Sequence, residues 1–186
     1  MISLQPDKGV LLVAEPSIIG DVSFNRSVVL LAEHNEEGSV GFILNKPLKY
    51  NLKDFIPEVN CELPVYNGGP VEQDNLYFIH RIPEHIPDSI EIAEGIYWGG
   101  DFNAILDLLQ KEELKASQIQ FFLGYSGWDR EQLDQELEVH SWVITKNKLR
   151  HRIIGENLDN FWKEQMIELG GDYLLWSNAP ENPSYN

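Results

Sequence analysis

Five histidines, one cysteine, thirty carboxylates and a Gly-Tyr-Ser-Gly run are the raw material from which this chain could build a reactive site. The histidines are His34, His80, His85, His140 and His151, and none pair at i,i+4 on a helical stretch or fall in a His-Glu-x-x-His pattern. His80 and His85 are separated by Pro83, which suits neither face of a strand or a helix. A structural zinc site wants several thiolates, and only Cys61 exists. No metal and no cofactor is expected. Gly124-Tyr125-Ser126-Gly127-Trp128 approaches the Gly-x-Ser-x-Gly elbow that exposes a nucleophilic serine, but Trp128 stands where the second glycine belongs. The plainer reading is a glycine turn with Tyr125 and Trp128 packed at a core edge. Cys61 has Glu62 beside it and no basic neighbour to stabilise a thiolate.

Anion cradles and acid/base pairs fare no better. Asn67-Gly68-Gly69-Pro70 and Trp98-Gly99-Gly100-Asp101 both place glycines after a strand, yet no Walker lysine follows. Asp101 would itself occupy the amides of the helix it opens, which makes it a cap. Glu36-Glu37 and Glu112-Glu113 read as solvated turns. Lys146, Lys148, Arg150 and Arg152 would share one face of a continuous strand, although Asn147 makes a turn equally plausible. Counter-charge to acidic neighbours is the simpler reading of that cluster, with an anion site the alternative.

The elements that must position these residues follow from periodicity and breakers. Strands are expected from Gly9 to Ala14, Ser27 to Glu33, Val40 to Leu44, around Val65, from Leu76 to His80, from Gln118 to Leu123 and from Trp142 to Ile144. His34 to Gly38 closes a hairpin with a loop of about four or five residues. Ile90–Ala93 and Ile96–Trp98 flank Glu94-Gly95 as a second hairpin, and Asn45-Lys46-Pro47 ends a strand. Short helices are expected after Asn51, after Asp101 and after Asp129, where Gln132 completes a capping box. A last helix capped by Asn157 carries Phe161, Trp162 and Met166 and stops at Gly170-Gly171. Residues 177–186 read as an extended tail. Early strands and late helices, without βαβ alternation, give one α+β domain over 1–186 with an antiparallel or mixed sheet.

Charge constrains the partners. Fourteen basic residues against thirty acidic ones leave a net charge of −16. A duplex-binding surface neutralises about 6–10 phosphates with Lys and Arg, which would take most of the basic residues here. Direct nucleic-acid binding is disfavoured, and so is an anionic membrane. No run reaches the roughly 18 apolar residues of a membrane span. The first residues lack a secretory pattern, and a single cysteine fits a reducing compartment; a cytoplasmic setting is expected.

In order, Leu12-Val13-Ala14-Glu15-Pro16, Phe24-Asn25-Arg26-Ser27-Val28-Val29-Leu30-Leu31, Gly41-Phe42-Ile43-Leu44-Asn45-Lys46-Pro47, Asn67-Gly68-Gly69-Pro70-Val71 and Phe122-Leu123-Gly124-Tyr125-Ser126-Gly127-Trp128 resemble the YqgE/AlgH family of bacterial proteins. Glu33-His34, Gly95-Ile96-Tyr97, Gly100-Asp101, Gln132-Leu133 and Ser141-Trp142 extend the match. Lys46 stands where the family commonly has arginine, and Ser126 where it commonly has alanine, so Ser126 is a poor nucleophile. The resemblance implies an α+β fold with a barrel-like β core and flanking helices, no established enzymatic activity, and a label of transcriptional regulator. With no helix-turn-helix reader in view and this charge, such regulation would act indirectly, through a protein or small ligand. The turn residues of these motifs, Arg26, His34, Asn45, Gly68, Gly69, Tyr125 and Trp128, are the candidates for a recessed binding site. Arg26 and Asn45 could equally serve as structural hydrogen-bonders. A non-enzymatic binding or regulatory module is the leading expectation, with a hydrolase using His34 or Ser126 and a direct DNA binder as alternatives.

Overall fold

The computed structural model describes residues 4–16 and 22–179. The chain order is β1 (Leu11–Ala14), β2 (Val28–Asn35), β3 (Gly38–Ile43), β4 (Pro47–Asn51), α1 (Leu52–Phe55), β5 (Pro64–Asn67), β6 (Val71–His80), β7 (Ile90–Ala93) and β8 (Ile96–Trp98). There follow α2 (Phe102–Gln110), β9 (Ile119–Asp129), α3 (Gln132–Glu138), β10 (Trp142–Thr145), α4 (Phe161–Leu169) and α5 (Tyr173–Trp176). The ten strands make one sheet with the path β10-β1-β2-β3-β9-β6-β8-β7, and β4 and β5 attach at β9. Every pairing is antiparallel except β5 with β9, so the fold is α+β with a mixed sheet.

Strand alternation explains the layers. Leu11 and Val13, Val28 and Leu30, Phe42 and Phe122 point to one face, where Phe161, Trp162 and Met166 of α4 fill the space between them. Leu12, Ala14, Val29 and Leu31 point the other way, onto Leu133 of α3 and the two indoles Trp128 and Trp142. Phe78 and Phe121 meet Ile105 and Leu109 of α2 on the remaining outer surface. Burying a side chain of this size contributes about 1.5–3 kcal/mol. The sheet curls until β7 meets the segment before β1: Lys8 Nζ donates to Glu91 O at 3.2 Å, and a Cβ on Gly9 would lie 2.5 Å from Ile92 O. Among the described residues β10 and β7 each pair on one side only, so the core is a curled open sheet instead of a closed barrel.

Several local expectations are corrected. The β2–β3 loop is only Glu36-Glu37, because Asn35 and Gly38 already pair. Pro47 does not end the sheet; it starts β4, whose partner β5 lay too far along the chain to be inferred. Asn160 stands at the N-cap of α4, while Asn157 closes a preceding turn by accepting from Asp159 N at 2.8 Å. Asp101 does cap α2, accepting from Asn103 N at 2.9 Å. The capping box expected of Asp129 and Gln132 is not formed: Gln132 Oε1 accepts from Asp129 N at 2.9 Å, but Asp129 ends β9 and Glu131, without a side-chain cap bond, stands at the N-cap of α3. Lys146 to Arg152 is not strand: it leaves β10 irregularly and becomes turn from Lys148, and its cations are spread over separate carboxylates, Lys148 with Glu168, Arg150 with Glu94, Arg152 with Glu156 and Glu164. Of the tail, Ser177 to Ala179 follow α5, and residues 180–186 lie outside the described residues. No helix among the described residues is long and apolar enough to cross a membrane.

Candidate functional site

Four of the seven candidate residues hold the fold. Asn45 Oδ1 accepts from Val28 N and its Nδ2 donates to Arg26 O, both at 2.9 Å, which pins the start of β2 to the chain leaving β3. Arg26 adopts φ 53, turns its guanidinium over the Trp162 ring at 4.9 Å, and donates from Nη2 to Ala179 O at 2.7 Å. It thereby ties the chain before β2 to α4 and to the end of the described chain. Gly68 and Gly69 let β5 run against β9: added Cβ atoms would lie 2.2 Å from Gly124 O and 2.3 Å from the Tyr125 backbone. Gly68 O accepts from Ile43 N and from Ser126 Oγ, both at 3.0 Å.

The Gly124 to Trp128 run is a strand, not a turn. β9 continues through it and changes partner along one edge, from β5 at Phe121–Leu123 to β3 at Ser126–Asp129. Gly124 makes the change possible by taking φ +67, a conformation costly for residues with a Cβ. Ser126 is fully buried on this strand with its hydroxyl given to Gly68 O. It is part of the strand junction and is closed off from solvent.

His34, Tyr125 and Trp128 are brought together near the β2–β3 turn. Two contiguous grooves, of about 460 and 400 Å³, flank that turn and share Asn35, Gly38, Ser39 and Asp129. In the first, His34 Nδ1 lies 2.8 Å from Ser39 Oγ, its cross-strand neighbour. In the second, Tyr125 stands edge-on to Tyr77 at 5.5 Å, and the Tyr77 hydroxyl donates to Glu72. That bond is the largest cause holding the Glu72 carboxyl below its ordinary range, with Asn75 assisting. Trp128 gives the second groove an inner wall, but its indole N–H is taken by Glu136 Oε2 at 2.8 Å. The same oxygen accepts from Trp142 Nε1 at 2.7 Å, so one carboxylate orients both indoles.

The grooves are acidic. Glu33, Glu36, Glu37, Asp129, Glu131 and Asp134 line them, against one cation, Arg130, which faces Glu131 at 3.7 Å. Ser39, Asp129 and Asp134 were not among the sequence candidates. Cross-strand pairing in a tight hairpin places Ser39 opposite His34, and that pairing becomes visible only once the loop is known to be two residues long. Among the described residues no group of three or more His, Cys, Asp and Glu could hold a metal ion.

Comparison with known proteins agrees with this architecture. The AlgH-like family matches residues 11–174. The chain is similar to a UPF0301 protein of Bacteroides fragilis, 43% identical over 187 residues and covering 99% of this chain and 93% of the relative. A UPF0301 protein of Cytophaga hutchinsonii is 41% identical over 181 residues, covering 96% and 98%. A crystal structure from Corynebacterium diphtheriae superposes with a TM-score of 0.76 at 23% identity, over 96% of this chain and 95% of that one. The solution structure of the AlgH protein from Pseudomonas aeruginosa gives 0.72 at 22% identity, over 97% and 98%. At these identities the two structures bear on the fold alone.

Proposed function

The chain belongs to the AlgH-like family, and from that premise we propose that it is a binding or regulatory module without catalytic turnover. It takes a basic protein segment in the grooves beside the β2–β3 turn, and any part it has in transcription runs through that partner. The observation that carries this reading is the lining: six carboxylates and one arginine around two open, contiguous grooves. Opposite charge across an interface speeds encounter and fixes register, and a chain of net charge −16 repels polyanions.

The test uses a fluorescein-labelled lysine- and arginine-rich peptide, titrated by anisotropy at two salt concentrations. Combined Glu36→Lys, Glu37→Lys and Asp134→Lys substitution is expected to weaken binding at least tenfold. A matched reversal elsewhere, at Glu58, Glu112 and Glu113, is expected to weaken it much less. Equal loss in both variants would reduce the attraction to bulk charge and sink the groove. Duplex DNA is the second arm: a retarded, salt-sensitive complex in a mobility-shift assay would overturn the indirect reading.

One contact favours a second reading, hydrolysis: a hydroxyl 2.8 Å from an imidazole in a groove that also holds carboxylates. Two features weigh against it. Register alone places Ser39 opposite His34, and Ser39 is buried. Fluorophosphonate labelling decides the matter, with no adduct expected at Ser39; a covalent adduct lost in His34→Ala would restore the enzyme.

A further inference from the structure

A third cavity lies away from these grooves, at the mouth of the curled sheet. Its volume is about 330 Å³, at the low end of ligand pockets. Tyr66 of β5 and Gln120 of β9 reach it from one face of the sheet, since Tyr66 pairs with Phe122 and Gln120 lies two residues before Phe122 on the same face. The turn Gly155–Asp159 closes the far wall. That turn is seated by Gly155 at φ +93, where an added Cβ would lie 2.7 Å from Ser117 Cα.

Two polar side chains lining this cavity have hydrogen-bonding capacity that the described protein leaves unused. Tyr66 and Gln120 are each only 6% exposed. Among the described residues the Tyr66 hydroxyl makes no hydrogen bond, and the Gln120 carboxamide makes only a 3.5 Å contact from Nε2 to Phe121 O. Neither atom is sealed in the protein, and both residues line the cavity, where a bound group could meet them. Asp159 adds a carboxylate whose Oδ2 alone is engaged, by Asn157 Nδ2 at 3.2 Å. Glu156, by contrast, is already paired with Arg152. Burial first, and then the charge of Asp159, hold the Tyr66 phenol above its ordinary range, so it stays protonated at neutral pH.

We propose that this cavity is a binding site for an alkylguanidinium group. The polar side chains lining it are a phenol, two amides and two carboxylates (Tyr66, Gln120, Asn157, Glu156 and Asp159), and no lysine or arginine is among its lining residues. An anion has no donor charge to meet there. A guanidinium offers five N–H donors in a plane and is more weakly hydrated than an ammonium, so it satisfies several acceptors at a lower desolvation cost. Pro47, Pro64 and Ile119 supply the apolar wall that an alkyl stem needs. The guanidinium can come from a free small molecule or from an arginine side chain. Both present the same head group.

Calorimetric titration of the whole chain with butylguanidinium, N-acetylarginine methylamide and pentanoate tests the assignment. The first is expected to bind and pentanoate is not. Binding of the arginine derivative as well identifies a side chain as the natural source, and binding of butylguanidinium alone identifies a free compound. Tyr66→Phe, Gln120→Leu and Asp159→Asn are each expected to weaken the cation about tenfold, the loss of one hydrogen bond to a charged group. Amide chemical shifts confirm that the variants keep the fold and place the ligand beside residues 116–120. The assignment is overturned if neither cation binds wild-type protein at 10 mM (roughly the weakest affinity worth a site), if pentanoate binds equally, or if all three folded variants bind unchanged. The groove at the β2–β3 turn stands or falls separately, because its charge reversals leave these residues intact.

Discussion

His80 shows how one residue can couple stability to pH. It is 0% exposed, stacks on Tyr97 at 5.8 Å, and spans two backbone groups: Nε2 lies 3.1 Å from Gly99 O, and Nδ1 accepts from Ile82 N at 3.3 Å. That pattern fixes the neutral tautomer with the proton on Nε2, because a protonated Nδ1 would face the Ile82 N–H with a second donor. Burial lowers its pKa from the ordinary 6.5, opposed by the bond to Gly99 and the charge of Glu84. Above pH 6.5 the imidazole is neutral whether the chain is folded or not, and its contribution is complete. As pH falls below that value the unfolded chain takes up a proton that the folded one refuses, so stability drops until the folded pKa is passed, at up to about 1.4 kcal/mol per pH unit. Urea midpoints measured from pH 8 to pH 5 should therefore fall more steeply for wild type than for His80→Gln, which cannot titrate. Parallel curves would show that this imidazole charges freely in place.

At the scale of elements, β9 organises the molecule, and Gly124 is the point on which it turns. An alanine there must both hold φ +67 and fit a Cβ 2.7 Å from Gly69 O and from Val71 O. Gly95 in the β7–β8 turn has a similar φ of +73 with nothing within 4 Å of its Cβ position. Gly95→Ala thus reports conformational strain alone, about 1–2 kcal/mol, whereas Gly124→Ala adds a backbone collision that requires β5, β6 and β9 to separate. The expected denaturation result is a loss at least about 2 kcal/mol larger for Gly124→Ala, in the range of overpacked cores. Equal losses would mean that the strand junction is soft. The same contrast explains what was legible in the sequence. Asp101 could be read as a cap because its partner lies two residues away, whereas the capping box expected of Asp129 and Gln132 shrinks to one local bond, with Glu131 at the N-cap of α3. The strand from Gly124 to Asp129 could not be read, since its hydrogen bonds go to β3, and a glycine-rich run without that partner looks like a turn. Asn45 was read as either a site residue or a structural hydrogen-bonder, and its bonds to Val28 N and Arg26 O make it the latter. The placing of Tyr66 and Gln120 on one cavity was not readable, because it depends on the register that pairs Tyr66 with Phe122 across two parallel strands far apart in the chain.

The whole molecule carries thirty carboxylates against fourteen cations, and the fold does not hide the imbalance. Its salt bridges are short-range and exposed at one or both ends: Lys148 with Glu168 at 2.6 Å, Lys111 with Asp107 at 2.5 Å, Arg150 with Glu94 at 2.8 Å. Exposed pairs of this kind contribute about 0–1 kcal/mol each. Repulsion among the remaining carboxylates acts over the full width of the protein, and it weakens as the Debye length shrinks from about 30 Å at 0.01 M salt to about 10 Å at 0.1 M. Salt therefore removes more destabilising repulsion than stabilising attraction. The urea midpoint at pH 7.5 should rise between 10 and 300 mM sodium chloride (roughly the range over which the Debye length contracts most) and then level off. Urea is the right denaturant because guanidinium chloride is itself a salt and would mask the effect. A midpoint that falls over this range would show that the ion pairs around Arg152 and Lys148 outweigh the net charge, and the electrostatic basis for expecting a cationic partner would go with it.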